Sequence, residues 1–394
     1  MSARPADLAA PRGAASSGSP RVLLLIDSLG RAGAEKQAQL LASRLPAHGI
    51  VTRLACFQLP PAAAEQLRGA GVTIDRLHAA PRRLWPPRVL LDVARIVRRH
   101  RIDIVQTFLP TFDILAPCLK PVLPGVRIVT SRRNVDDQLD ARRLRLLRLT
   151  GRFADVVVGN AERVAESVRR LEPGSRARIV VIGNGIENEP AIGRDERESA
   201  RRALEAGARP TISYLAHFRP GKGYEHLPEV IEAVRRASPD LLVLIAGDET
   251  SNRQYRQTSA AFRSQIAERG IENAVRFLGL VAGARETLAA SDLLLSLSDV
   301  EGMSNSVMEA MLLGLPVVAT DAGGAGELIE PGVSGEMVAR GDAAGAAERI
   351  AALLRDPARR ASIGEQARRR ILDRFSADRM AAAYARLYRE IALR

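Results

Sequence analysis

Aromatic residues are scarce in this chain, and cysteine is nearly absent. Phe, Trp and Tyr together make up 4% of 394 residues, and the two cysteines are Cys56 and Cys118. Two cysteines cannot build a disulfide framework, so a reducing compartment is the expectation. Long apolar runs are missing too. Val22–Ile26 spans about a quarter of the roughly 20 residues a membrane crossing needs. Ile114–Val129 is greasier but holds Lys120, Arg127 and three prolines. Residues 1–20 are rich in Ala, Ser, Gly and Pro and lack an apolar core. They are predicted to be a disordered leader, not an export signal. Few aromatics, and no helix-turn-helix, zinc or RNA-binding signature, argue against a nucleic-acid partner.

What is present suits two folded cores. The composition is 46% hydrophobic and 26% charged, and a chain of this length divides into two domains of roughly 180 residues. The net charge of +13 is uneven. Residues 1–185 hold 30 Lys and Arg against 15 Asp and Glu, which leaves 28 against 30 in the remainder. A basic first half points to an anionic partner there, with high arginine usage as the plain alternative.

Short Val/Ile/Leu runs alternate with helical segments, the pattern of βαβ units in a doubly wound parallel sheet. Strands are predicted at Val22–Ile26, Val51–Phe57, Thr73–Leu77, Ile102–Gln106, Arg127–Ser131, Asp155–Val158 and Ile179–Ile182. Helices lie between them, for instance at Ala34–Leu45, Val89–Arg98 and Ala161–Arg170. The turn Gly183-Asn184-Gly185 and a polar stretch interrupt the series. A second series follows at Thr211–Leu215, Leu241–Ala246, Ala274–Leu278, Asp292–Ser296 and Pro316–Ala319. The fold class is therefore α/β, with two Rossmann-like domains facing across a cleft. They span 21–188 and 189–375, and an amphipathic helix closes the chain within 376–394.

Four loops at strand ends carry candidate chemistry. The first, Glu301 to Glu309, precedes and opens a helix. Helix starts offer free N–H groups and a positive dipole end to phosphate. Glu301 suits sugar hydroxyls and Glu309 a ribose diol. Alternatively, Glu301 is a solvated loop acid and Glu309 closes a capping box with Ser306 as N-cap. The second, His217 to Gly223, places cations in a glycine-rich loop fit for a diphosphate. It lacks the P-loop pattern and also reads as an exposed basic loop. The third, Gly30 to Glu35, has Gly-x-x-Gly, a tight approach to a helix start and a weak dinucleotide motif. The fourth, Asp321 to Glu327, is a glycine-rich turn at the cleft or a plain connection.

Taken together, "GRAGAEKQ", "ADVVVGNAERV", "VIGNGIE", "GKGYEHL" and the run from "ASDLLLSLSDVEGMSNSVMEAM" to "ELIEPGVSG" resemble the retaining glycosyltransferases of family four. The resemblance runs from about residue 21 to 390 and ends on "FSADRMAAAYARLYREI". It implies the GT-B architecture, with the closing helix crossing back to the first domain. It implies that Glu301 contacts the donor sugar, Glu309 the ribose and Lys222 the diphosphate. Gly302, Met303, Ser304, Asn305, Ser306 and Val307, with Gly33, would offer backbone to sugar and phosphates. Three departures stand out. His217 occupies a position that is usually Arg, so Arg219 would share the diphosphate with it. Ala32 replaces the first of two glycines. Gln106-Thr107-Phe108 stands where His-x-His is frequent, leaving Phe108, Arg133 and Asn134 as acceptor-side candidates.

The resemblance further implies a retaining, metal-independent transfer from a UDP- or GDP-sugar, with Glu301, Lys222 and Arg219 as the catalytic set. No metal or other cofactor is expected, and no Asp-x-Asp sequence occurs. The acceptor would be a glycan or a lipid-linked molecule. The protein would be cytoplasmic and peripheral at the inner face of the plasma membrane. Leu139–Thr150, with Arg142, Arg143, Arg145 and Arg148 among leucines, suits an anionic membrane surface or packs its leucines inward. The rival readings are a nucleotide-sugar 2-epimerase and a non-catalytic GT-B binding module.

Overall fold

A computed structural model describes residues 18–30, 32–78, 87–135 and 140–393. Most of the expected leader, together with Arg31 and Leu139, lies outside the described residues. The first sheet holds β1 (Arg21–Leu25), β2 (Val51–Cys56), β3 (Thr73–Arg76), β4 (Ile104–Thr107), β5 (Arg127–Arg132), β6 (Val156–Gly159) and β7 (Arg178–Val181). Its order is β3-β2-β1-β4-β5-β6-β7, with every pair parallel. Parallel strands need both faces covered, which is why their sequences are unbroken apolar runs. β1 shows this directly. Val22 and Leu24 face one core, and Leu23 and Leu25 face the other.

The second sheet holds β8 (Thr211–Leu215), β9 (Leu242–Ala246), β10 (Val275–Gly279), β11 (Leu293–Ser296), β12 (Val317–Thr320) and β13 (Glu336–Val338). Its order is β10-β9-β8-β11-β12-β13, again parallel throughout. The last strand is absent from the sequence reading. Three residues beginning with a glutamate give no apolar run; they pair along β12, and Arg359 meets the buried Glu336 at 2.6 Å. In both sheets the order reverses beside the first strand, between β1 and β4 and between β8 and β11. That switch point opens a crevice at the carboxyl ends of the strands.

The chain crosses between the domains twice, side by side. Ile186 N–H donates to the Phe375 carbonyl, and Ala377 N–H donates to the Ile186 carbonyl, both at 2.9 Å. Gly185 is required here, since a Cβ would lie 2.9 Å from the Ala377 Cα. Beyond the second crossing, Ser376 caps the helix Ala377–Ala392. That helix buries Met380, Ala381, Tyr384, Ala385 and Tyr388 in the first domain's core, beside Val22, Ile104 and Val129. The Tyr388 hydroxyl donates to Gln106 Oε1 at 3.2 Å. So Gln106, at a position often histidine in the resembled family, serves the core and not the cleft.

The basic helix Ala141–Thr150 does not pack its leucines inward as a set. Leu147 is buried, Leu144 and Leu146 are half-buried, and Leu149 is 57% exposed. For the closing helix, Tyr388→Ala is expected to destabilise the first domain by about 3–5 kcal/mol, as for other large-to-small core changes. Tyr388→Phe removes one hydrogen bond and costs about 0.5–1.5 kcal/mol. Urea denaturation of the two variants measures both.

Candidate active site in the interdomain cleft

The loop after β8 turns back on itself through Gly221 and Gly223, at φ +74° and +75°. A side chain at 223 would also collide with the Leu297 carbonyl. This turn directs Lys222 inward to 9% exposure, where its ammonium pairs with Glu301. Glu301 also accepts from Ser298 Oγ at 3.3 Å. Burial pushes the Lys222 pKa down, and Glu301 opposes that shift. Glu301 is therefore not a solvated loop acid. Its own turn is braced by the fourth motif: Gly323 sits at φ +51° against the Glu301 carbonyl, and Gly324 N–H donates to the Gly302 carbonyl at 2.8 Å.

Beside this pair, His217 stacks on Tyr255 with ring planes 12° apart. Its Nδ1 accepts from Asp248 N–H at 3.0 Å, which leaves the proton on Nε2. Burial lowers the His217 pKa, so the ring stays neutral and offers one donor. Arg219 lines the same cleft without an ion pair among the described residues.

The helix Asn305–Leu312 begins two residues earlier than a capping box on Ser306 requires. Ser304 is the N-cap and makes no side-chain cap bond. Glu309 instead accepts from the first domain's Lys36 ammonium at 2.9 Å. The capping-box reading of Glu309 is thus excluded, and the first amides of this helix have no side-chain partner among the described residues. Ser304, Asn305 and Ser306 line the cleft. The Met303 and Val307 side chains are buried, at 5% and 2% exposure, and Met303 also lines the cleft.

Asn305 ties the two walls together. Its Nδ2 donates to the Gly33 carbonyl at 3.1 Å. Its Oδ1 accepts from Gln37 at 3.2 Å and from Asn184 at 2.9 Å. Asn184 Nδ2 also donates to the Met303 carbonyl at 2.9 Å. Gly33, first residue of the helix Gly33–Arg44, is thereby set against the helix Asn305–Leu312. A second clasp lies at the rim. Arg163 pairs with Asp321 at 2.7 Å, and Glu327 accepts from Glu162 N–H at 2.7 Å. The cleft enclosed by these contacts measures about 450 Å³.

On the first domain's side, Arg133, Asn134 and Asn160 line the cleft. Phe108 does not reach it. Its ring is fully buried and carries the Arg133 guanidinium 4.9 Å from its centroid. Phe108 therefore acts on the site only through Arg133. Sequence reasoning missed Lys36, Gln37, Asn160 and Asn184. Each lies in a segment quoted above for the resemblance, and Asn160 and Asn184 follow the ends of β6 and β7. Polar residues just past buried strands were the available signal. Outside the cleft, Glu225, His226 and Asp299 bring possible metal-ligand atoms within 4.8 Å of one another. None of the three lines the cleft.

Gly302 marks where the walls touch. A Cβ there would collide with the Arg133 carbonyl and the Asn160 amide. Gly302→Ala is expected to hold the domains apart. Nucleotide binding to the second domain should persist while turnover falls about 100-fold, the scale of a small misplacement at a reaction centre. Parallel calorimetry and turnover assays check this.

Residues 195–370 match the family "Glycosyl transferases group 1", and residues 31–189 match "Glycosyltransferase Family 4". The chain is 24% identical over 306 residues to the N-acetyl-alpha-D-glucosaminyl L-malate synthase of Bacillus anthracis, covering 76% of this chain and 77% of that protein. It is 26% identical over 377 residues to the GDP-mannose-dependent alpha-(1-6)-phosphatidylinositol monomannoside mannosyltransferase of Mycobacterium tuberculosis, covering 88% and 90%. Its fold is similar to that of Anabaena HepE in complex with UDP-glucose, with TM-score 0.79 and 22% identity over 93% of this chain and 98% of the other. The two parallel α/β domains are the GT-B architecture, and the chain belongs to the group 1, family 4 glycosyltransferases.

Proposed function

We propose that this glycosyltransferase moves a sugar from a UDP- or GDP-sugar to an acceptor hydroxyl held by the first domain, with retention of configuration and no metal ion. The observation that carries this reading is the buried Lys222–Glu301 pair, which shares a cleft with Arg219, His217 and an uncapped helix start. Cleaving the bond from the anomeric carbon to the diphosphate leaves negative charge on the β-phosphate. Lys222, Arg219, the His217 Nε2–H and the amides of Asn305–Val307 stabilise that charge as it forms. Glu301 holds the sugar hydroxyls, and Glu309 holds the ribose. The acceptor attacks from the face the leaving group departs. The contacts between the walls exclude water and so limit hydrolysis.

Both donor nucleotides have support among similar proteins, one with UDP-glucose bound and one named for GDP-mannose. A glycan or lipid-linked acceptor suits the basic first domain. None of the described helices is long and apolar enough to cross a membrane. Placement in the cytoplasm at the inner membrane face is supported by the surface helix Ala141–Thr150, with its arginines, exposed Leu149 and nearby exposed Phe153.

Incubation with a panel of UDP-, GDP- and ADP-sugars plus membrane or glycan extract tests the activity. Nucleoside diphosphate release that needs acceptor and survives EDTA is expected. Epimer formation, or no turnover of any donor, contradicts the proposal. Lys222→Ala and Glu309→Ala should each reduce turnover by about 100-fold or more with little change in melting temperature. Wild-type rates in either variant reject the site. Vesicles with anionic lipid should co-sediment the protein and release it at high salt, and Arg142→Glu with Arg145→Glu should abolish this. Binding that ignores salt and both substitutions rejects the membrane face.

A further inference from the structure

The cleft floor contains a half-buried cation, Arg133, with no acid paired to it among the described residues. Arg133 makes one side-chain hydrogen bond, from Nη1 to Asn184 Oδ1 at 2.8 Å. Its Nε and Nη2 are buried and have no hydrogen-bond partner. Among the described residues no carboxylate pairs with it. Its neighbours differ sharply. Arg132 lies between Asp113 at 3.2 Å and Glu172 at 2.9 Å, and Lys222 pairs with Glu301. Donor groups shut away from water without acceptors are unfavourable, more so on a charged group. An arrangement of this kind is complete only when something else supplies the negative charge.

Two neutral groups near Arg133 share the deficit: the next residue, Asn134, and Asn160, whose Nδ2 donates to the Arg133 carbonyl at 3.3 Å. Asn160 is 2% exposed, and its Oδ1 has no partner. Asn134 Oδ1 is also buried and unpartnered. All three residues line the cleft. The Arg133 carbonyl and the Asn160 amide press on Gly302, one residue from Glu301. The subsite therefore adjoins the position proposed for the transferred sugar. The donor's phosphates are served from the opposite wall by Lys222, Arg219 and His217. That leaves the acceptor as the source of the missing anion.

We infer that Arg133, Asn134 and Asn160 form an acceptor subsite for an anionic polyol, with a carboxylate or phosphate on the guanidinium and hydroxyl donors on the two asparagine oxygens. The inference rests on the transferase reading above and narrows its acceptor to compounds carrying negative charge next to the attacking hydroxyl. Phe108 is a positioning residue here, fixing the guanidinium plane through its ring. The anion is either a small soluble phosphate or a phosphodiester headgroup in a lipid surface, since both offer the same oxygens.

The test uses the full chain saturated with UDP. Glycerol 3-phosphate, glycerol, and vesicles with or without phosphatidylglycerol are titrated in turn. Wild type is expected to bind glycerol 3-phosphate and not glycerol. Arg133→Met should lose that binding at least tenfold, and Arg133→Lys should keep part of it. UDP affinity should stay within about twofold in every variant. Asn160→Asp places a negative charge in the subsite, so it should weaken anion binding while UDP affinity is kept. Arg133-dependent binding to phosphatidylglycerol vesicles alone also supports the subsite and assigns it to a lipid headgroup. Wild-type anion binding in Arg133→Met, or no binding of either probe, overturns the inference. A parallel fall in UDP affinity also overturns it, because the arginine then serves the donor. If wild type fails to bind UDP at all, the transferase reading fails first.

Discussion

An ammonium group at 9% exposure stays charged only if a carboxylate sits against it, and Lys222 has one in Glu301. Much of the second domain's upper edge follows from that requirement. Gly221 and Gly223 take left-handed backbone so that the lysine can turn inward. Gly323 and Gly324 lie under the Glu301 turn, where any side chain would displace it. The uncapped helix from Asn305 then opens beside the pair. Each element is a modest feature alone. On the proposed reading they together hold a positive field where a diphosphate would leave, in a place that water enters poorly.

The first domain completes the site through contacts that are polar and few. Asn305, Gln37 and Asn184 form one hydrogen-bonded bridge, Lys36 and Glu309 a second, and Arg163 with Asp321 a third. Partly exposed ion pairs contribute little, about 0–1 kcal/mol each. An interface built from such pairs can open and reclose, which a transferase with two substrates requires. The closing helix works differently. Its tyrosines and alanines are buried in the first core, so the second crossing of the chain is anchored firmly.

Much of this was legible in the sequence because it is local. Apolar runs bounded by glycine and proline report buried strands, and all seven strands of the first sheet and five of six in the second were found that way. The loops at strand ends likewise stood out by residue type. What escaped was long-range. β13 is three residues long, pairs along β12, and opens with a glutamate whose partner, Arg359, lies on a distant helix. Glu309 looked like a cap because the helix start could not be placed to the residue. Phe108 looked exposed to the cleft because nothing local says that Arg133 covers it. Lys36, Gln37, Asn160 and Asn184 matter through partners on distant segments. Periodicity carries no information about such pairs.

The account's central claim is that the Lys222–Glu301 pair marks the place where the diphosphate and the sugar meet. A crystal structure with an intact UDP- or GDP-sugar tests it most directly. The account predicts a phosphate oxygen within hydrogen-bond distance of Lys222 Nζ. Glu301 would have turned to a sugar hydroxyl, and the ribose would lie on Glu309. A nucleotide-sugar bound elsewhere, with the Lys222–Glu301 pair undisturbed, would contradict it.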